Sequence, residues 1–119
     1  MEEILFRGKE CTEGKWIVGS LVNRGESSSI VTETGNYIDV DPKTVGQFTG
    51  VRDVNGVPVF EGDVLLFDTH RYVVRYSSEF ASFICTDNPR TTDRMLGILV
   101  SNFKLFKCTG NIYDSGFNF

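Results

Sequence analysis

Short runs of alternating apolar and polar residues, separated by turn signals, extend along most of the chain. Residues 37–40 alternate strictly and predict a half-buried strand, whereas residues 15–22 are apolar on both faces and predict a buried strand that could bend at Gly19. By the same criteria we predict further strands at residues 29–34, 48–51, 57–60, 64–68, 71–76, 80–86, 104–108 and 110–113. Many short strands of this kind indicate a mainly β domain that is barrel-like in its second half.

Helical signals are few. Asp41 precedes Pro42, which suits an N-cap followed by proline at the first helical position, and Gly46 limits that helix to about one turn. Thr92 could cap a second helix over residues 93–101, where apolar residues approach helical spacing. We therefore expect at most one or two short helices.

Residues 45–64 form a framework of turns. Asn55-Gly56 is a strong hairpin signal because both residues tolerate positive φ, and Pro58 favours an edge position for the strand that follows. No Gly-x-Gly-x-x-Gly and no Gly-Lys-Ser/Thr occurs, so the glycines do not form a phosphate-binding loop. We interpret them as turn residues: Gly46, Gly50, Gly56 and Gly62.

The size and charge of the chain limit the classes of function that it could have. The chain has 119 residues, 40% of them hydrophobic, which is enough for one domain with its own core. With 12 Lys and Arg against 16 Asp and Glu, the net charge is −4, and the basic residues are scattered. A phosphate backbone favours a clustered basic surface, so direct nucleic-acid binding is disfavoured, although folding can gather distant residues. The first residues do not resemble a signal peptide and no apolar run could span a membrane, so we expect a bacterial cytoplasmic protein.

The residues with reactive side chains lack the neighbouring groups that catalysis needs. Cys11, Cys85 and Cys108 are far apart and form no CxxC pair, which predicts reduced thiols, some of them packed in the core. His70, the only histidine, lies in a predicted hairpin reversal without a nearby nucleophile or orienting partner.

Two pairs of carboxylates are candidates for cation or acid–base sites. Asp39 and Asp41 would share one face of a strand, and Glu61 and Asp63 flank a glycine, but neither pair meets the calcium-loop pattern. Turns that hydrogen-bond their own backbone explain Asp41 and Asp63 better. We therefore expect no catalytic residues, no metal and no organic cofactor.

Aromatic and basic residues interleave in one predicted strand, residues 71–76. Alternation places Arg71 and Arg75 on one face and Tyr72 and Tyr76 on the other, together with one valine each. We expect one of these faces to be solvent-exposed. The four residues are candidates for binding a peptide or a single strand, against the alternative of an ordinary barrel wall.

The most specific stretch of the sequence is IDVDPKTVGQFTG, residues 38–50. It is accompanied by ILFR at residues 4–7, KWIVG at residues 15–19, and GNIY at residues 110–113. In this order the pieces resemble the YopX family, small proteins carried by bacteriophages, prophages and related mobile elements. The resembling positions are Asp41, Gly46, Gln47, Thr49, Gly50, Asp53, Gly56, Glu61, Gly62, Asp63, Gly110 and Asn111.

The resemblance implies a fold and an assembly. It implies a YopX-like domain over residues 1–114, with a short N-terminal sheet followed by an SH3-like β-barrel element, and a tail over residues 115–119. It also implies self-association and no catalytic residues. Because Phe117 and Phe119 have no evident partner within the chain, we expect a homo-oligomer.

Three hypotheses for the function follow. The first is a non-catalytic phage or prophage accessory module, not an enzyme, that binds another macromolecule and itself. The second is a nucleic-acid-binding regulator, which a continuous Arg/Lys surface would favour. The third is a minor enzyme, which convergence of Asp39, Asp63 and another carboxylate on one cleft would favour.

Overall fold

A computed structural model describes residues 4–87 and 98–117 of the chain. Within these two ranges there are eleven β-strands and two short 3₁₀ helices, which confirms the mainly β fold. The chain divides into two compact units, Met1–Phe48 and Thr49–Phe119. The prediction of one domain over residues 1–114 stays a prediction.

The first unit is an antiparallel sheet with strand order β4-β3-β2-β1-β5. Its strands are β1 Phe6–Lys9, β2 Trp16–Arg24, β3 Ser27–Val31, β4 Tyr37–Val40 and the start of β5 Gly46–Arg52. β4 coincides with the predicted alternating strand. One face of the sheet is buried around Ile30 and Val40. The opposite face carries the exposed side chains of β2 and β4.

β2 changes partner at Gly19. Residues 16–19 pair with β1, and residues 20–24 pair with β3. At this crossover a Cβ on Gly19 would lie 2.1 Å from the carbonyl oxygen of Val31, so no larger residue fits without moving the backbone. The strand therefore needs glycine here because two backbones approach closely.

The predicted cap at Asp41 is confirmed. Its side chain accepts the Lys43 backbone N–H at 3.0 Å and begins the 3₁₀ helix Pro42–Thr44. Beside it, the outer edge of β4 is covered by residues 9–11. The N–H of Cys11 donates to the carbonyl of Asp39, and the N–H of Asp41 donates to that of Lys9.

The second unit contains the end of β5 and a five-stranded antiparallel sheet with order β10-β9-β8-β7-β11. Its remaining elements are β6 Pro58–Phe60, β7 Asp63–Phe67, β8 His70–Ser77, β9 Ser82–Thr86, β10 Ile98–Leu99, the 3₁₀ helix Val100–Leu105 and β11 Lys107–Asn111. Its core is larger than that of the first unit and includes Val59, Leu65, Val74, Phe103 and Phe106.

Three sequence predictions differ from the structure. Within the described ranges the second sheet is open, with β10 and β11 at its two edges, and not a closed barrel. Of the helix predicted over residues 93–101, residues 93–97 lie outside the described residues. The rest is wrong, since Ile98–Leu99 pairs with β9 and a 3₁₀ helix follows. As part of the same difference, residues 104–105, predicted as strand, belong to this 3₁₀ helix.

The hairpin at residues 53–57 is the third difference. Only Gly56 has positive φ there, at 81°, whereas Asn55 does not. The N–H of Gly56 donates to the Asp53 carbonyl, and the N–H of Asp53 donates to that of Val57. This is a three-residue loop in which a tight turn is followed by a left-handed glycine.

Candidate functional site

Asp53 ties the residue 53–57 hairpin to β11. Its side chain is buried, and one oxygen accepts the N–H groups of Asn55 and Val57, each at 2.8 Å. The other oxygen accepts the N–H of Cys108, also at 2.8 Å, from 55 residues along the chain. The N–H of Val54 donates to the carbonyl of Phe106, which extends the same junction.

These bonds fix the charge of Asp53. Burial raises the pKa of its carboxyl, but the backbone N–H groups of Cys108, Val57 and Asn55, helped by the positive charge of Lys107, outweigh burial and hold the pKa below its ordinary value. The carboxylate therefore acts as an ionised acceptor for backbone groups. Both of its oxygens are occupied in this way.

Asp63 and Asn111 form a second junction, between β7 and β11. Asp63 is 1% exposed. One of its oxygens accepts the side-chain amide of Asn111 at 3.0 Å, and the other accepts the N–H of Phe60 at 2.8 Å. The amide oxygen of Asn111 in turn accepts the N–H of Tyr113. A Cβ on Gly62, whose φ is +91°, would lie 3.0 Å from the amide nitrogen of Asn111. Two pieces of the sequence 48 residues apart thus meet in one buried network.

The other positions of the family resemblance also support the backbone. The hydroxyl of Thr49 donates to the carbonyl of Val59 at 2.8 Å, and Glu61 accepts the N–H of Tyr76 at 3.2 Å. Gly46 is buried in β5, Gln47 pairs with Phe6, and Gly50 and Gly110 have positive φ. Asp41 caps the first 3₁₀ helix.

The four candidate binding residues lie on β8 but do not form one surface. Tyr72 contacts the buried ring of Phe106 at 5.7 Å between centroids, and Tyr76 packs edge-on against Phe83 at 5.4 Å. The valines between them, Val73 and Val74, point to opposite faces and are both 0% exposed. The expectation that one whole face of this strand is solvent-exposed is therefore wrong, because each face of β8 includes buried side chains.

Arg71 and Arg75 lie on the face of β8 opposite to that of Tyr72 and Tyr76. Arg75 is half-buried and sits opposite the buried Ile84. Arg71 is exposed and lines an open groove of about 370 Å³ together with Asn111, Asp114 and Phe117. Phe117 is half-buried, and its backbone N–H donates to the carbonyl of Asp114. Phe119 lies outside the described residues.

Histidine and cysteine are dispersed. His70 is exposed at the start of β8, and its ring lies 6.5 Å from that of Tyr72. None of the three cysteines forms a disulfide, and burial raises the pKa of the Cys85 thiol to about 12. In the part of the chain that the structure describes, no three His, Cys, Asp or Glu residues come together as metal ligands would.

An apolar patch lies on the second unit; we define it as Val54, Phe67 and Leu105. These side chains are 59%, 52% and 57% exposed. Each is a neighbour of the buried Phe106: the Phe67 ring is 5.1 Å from its ring, the Val54 N–H donates to its carbonyl, and Leu105 precedes it in sequence. Exposed apolar side chains grouped around one residue can mark an interaction site.

A second surface lies on the exposed face of the first unit. Trp16 on β2 is approached by the Arg7 guanidinium at 4.5 Å and the Lys9 ammonium at 5.6 Å from its ring centroid. Nearer the other end of the sheet, the guanidinium of Arg24 lies 5.5 Å from the centroid of Tyr37. We call these five residues the basic–aromatic face.

Sequence reasoning missed the basic–aromatic face. Its residues come from β1, β2 and β4, and only strand register brings them together. Alternation along residues 16–24 does place Trp16 and Arg24 on one side of β2, and that was the available signal. The positions of Arg7 and Lys9 depend on the pairing of β1 with β2, which no local pattern specifies.

A comparison with models of protein families gives a match for this chain. The model of a family described as YopX protein matches residues 5–116, which is nearly the whole chain. A search of curated proteins finds no match for the chain. Over the described residues, no helix is long and apolar enough to cross a membrane.

Proposed function

The chain belongs to the YopX family, and from this premise we propose that it is a non-catalytic accessory module of phage or prophage type that associates with itself and binds another macromolecule in the bacterial cytoplasm. The observation that carries the proposal is the apolar patch. Each of its three side chains leaves half or more of its surface in water. Covering them with the same patch of a second copy removes that surface from water in a closed twofold contact.

The sheet edges favour this mode of assembly over strand addition. Pro58 in the edge strand β6 has no N–H, and the N–H of Phe60 is taken by Asp63. The outer edge of β11 is engaged by Asp53 through Cys108. Edges with satisfied donors are poor templates for another strand, so side-chain contact is the better route to a dimer.

The use of the buried carboxylates supports a non-catalytic module over an enzyme. An acid–base residue needs a free position toward its substrate. Both oxygens of Asp53 and of Asp63 accept protein hydrogen bonds instead. These two residues thus stabilise the fold.

Light scattering coupled to size exclusion tests the self-association. We expect a mass that is a multiple of 13.4 kDa at micromolar concentration. The variant Phe67→Ser/Leu105→Ser should shift the protein to the single-chain mass while its circular dichroism is retained. Ile4→Ser is the matched control, since Ile4 is 70% exposed but lies in the other unit.

Two results would contradict the proposal. One is a single-chain mass for the unmodified protein at every concentration up to about 100 μM. The other is dissociation by Ile4→Ser to the same extent as by the patch variant, which would place the contact elsewhere.

A further inference from the structure

We propose that the basic–aromatic face, Arg7, Lys9, Trp16, Arg24 and Tyr37, binds a single-stranded nucleic acid. The inference rests on the proposed function in one respect, because it names the macromolecule that the module binds. It does not require self-association, so the two proposals fail separately.

Strand register places these residues on one side of the sheet. Lys9 is directly opposite Trp16, and Arg7 is opposite Val18. Arg24 follows on the same side of β2, an even number of residues from Trp16. Tyr37 pairs with Val31 of β3, which in turn pairs with Ser20 of β2, so Tyr37 lies on the same side of the sheet. Since directly paired residues share a face, all five side chains belong to the exposed one.

The charge of this face differs from that of the chain. The protein carries −4 overall. By register the strands of the face carry three cations, Arg7, Lys9 and Arg24, against one carboxylate, Asp39, which accepts the hydroxyl of Ser29. The local excess of positive charge suits a phosphate backbone. Scattered basic residues disfavour nucleic acid in the sequence, but folding gathers three of them here.

The aromatic rings distinguish a nucleic acid from an acidic peptide. Tyr37 is 61% exposed, and Trp16 is half-buried with its ring beside two cations. Unpaired bases stack on aromatic rings and on guanidinium planes, whereas an acidic peptide needs only the cations. The alternation of rings and cations therefore favours a strand whose bases are unpaired.

The face has the length of a short single strand. From residue 16 to residue 24 of β2 the distance is about 26 Å at the usual rise of a β-strand. A face of that length accommodates roughly four extended nucleotides, near the lower end of the range for β modules that bind single strands. A rigid duplex presents no free base faces to Tyr37.

Trp16 provides the experiment because it is the only tryptophan in the chain. Titration with a thymidine oligonucleotide of about twelve nucleotides should quench its fluorescence, and anisotropy of a labelled oligonucleotide should rise in parallel. With three cations engaged, the slope of log affinity against log salt should be about −2. A duplex of the same length should bind at least about tenfold more weakly.

Variants separate the contributions of charge and stacking. Lys9→Gln/Arg24→Gln should reduce the salt slope to about −0.7. Tyr37→Ala should weaken binding about tenfold or more. The matched controls are Lys43→Gln/Lys104→Gln and Tyr113→Ala, which alter exposed residues outside the face and should leave binding within about twofold.

Three outcomes would overturn the proposal. The first is no quenching and no anisotropy change with about 100 μM oligonucleotide at low salt. The second is equal loss of binding in a control variant and its face counterpart. The third is quenching by oligoglutamate without an effect of oligonucleotide, which would assign the face to an acidic protein. A protein that binds the oligonucleotide as a single chain would retain this inference while contradicting the self-association.

Discussion

Each of the two units of the chain is stabilised internally in a different way. The second unit packs a core around Phe103 and joins distant strands through the buried carboxylates of Asp53 and Asp63. The first unit buries one face of a single sheet and depends on close backbone approach at Gly19. Its other face carries the basic and aromatic side chains, of which Arg24 and Tyr37 are exposed and Arg7, Lys9 and Trp16 are half-buried. The second unit thus holds most of the buried side chains that the structure describes, and the first holds the basic–aromatic face.

The comparison also explains what the family resemblance marks. Asp53, Glu61, Gly62, Asp63 and Asn111 take part in hydrogen bonds that connect the hairpin at residues 53–57, β7, β8 and β11. They therefore specify the architecture of the second unit. Of the surfaces that could recognise a partner, the apolar patch consists of other residues. The basic–aromatic face includes Arg7 and Trp16, which lie in two of the resembling pieces.

The largest loss of stability is expected for a substitution in the core of the second unit. Phe103 is 0% exposed, so Phe103→Ala should lower the free energy of unfolding by about 3–5 kcal/mol through lost burial and a cavity. Leu105→Ala, in the same 3₁₀ helix but 57% exposed, is the control and should cost less than about 1 kcal/mol under single-chain conditions. Urea unfolding measures both. Similar midpoints for the two variants would mean that Phe103 does not organise the core.

The next-largest loss of stability is expected for a substitution of Gly19 in the first unit. A methyl group there would meet the Val31 carbonyl oxygen, which belongs to the backbone and cannot rotate away. Gly19→Ala should cost about 3 kcal/mol, whereas Ser20→Ala, at the neighbouring exposed position, should be within about 0.5 kcal/mol of the unmodified protein. Hydrogen exchange of β2 and β3 amides would locate the change. Unaltered protection in Gly19→Ala would contradict the close approach.

A smaller effect is expected at Asp53. In Asp53→Asn the amide group can still accept from Asn55 and Val57, but its NH₂ faces the N–H of Cys108, which loses its acceptor. The expected cost at neutral pH is about 1–3 kcal/mol, because a donor is left unsatisfied. Asp87→Asn, which changes an exposed carboxylate, is the control. Equal unfolding midpoints for the two variants would contradict the role of Asp53.

The same carboxylate predicts a pH dependence. The pKa of Asp53 is lower in the folded protein than its ordinary value, so its contribution to stability is complete above about pH 4 and is lost as the pH falls through the folded pKa. The difference in unfolding free energy between the unmodified protein and Asp53→Asn should therefore shrink in acid. A difference that is constant from neutral pH to below about pH 3 would contradict this linkage.

Local patterns predicted much of the fold but not the junctions. Strict alternation placed β4, and the Asp-Pro pair placed the cap at Asp41, because both signals act within a few residues. The junction of Asp53 with Cys108 spans 55 residues and depends on tertiary packing. The basic–aromatic face depends on register in the same way. The helix predicted at residues 93–101 fails over residues 98–101 because pairing of Ile98–Leu99 with β9 overrides a weak helical pattern.

The smallest effect concerns Gly56, where the sequence and the structure agree on the turn but differ on its geometry. Gly56 has a φ of +81° and no atom within 4 Å of where a Cβ would lie, so a substitution meets only backbone strain. Gly56→Ala should cost about 1 kcal/mol, whereas Asn55→Ala should cost less, because Asn55 does not have positive φ. Urea midpoints at a constant slope would measure both changes. A larger cost for Asn55→Ala than for Gly56→Ala would contradict this geometry. It would mean that the loop contains two left-handed residues, as the Asn-Gly pair alone suggests. Asp53 would then lose the geometry in which it accepts the N–H groups of Asn55 and Val57.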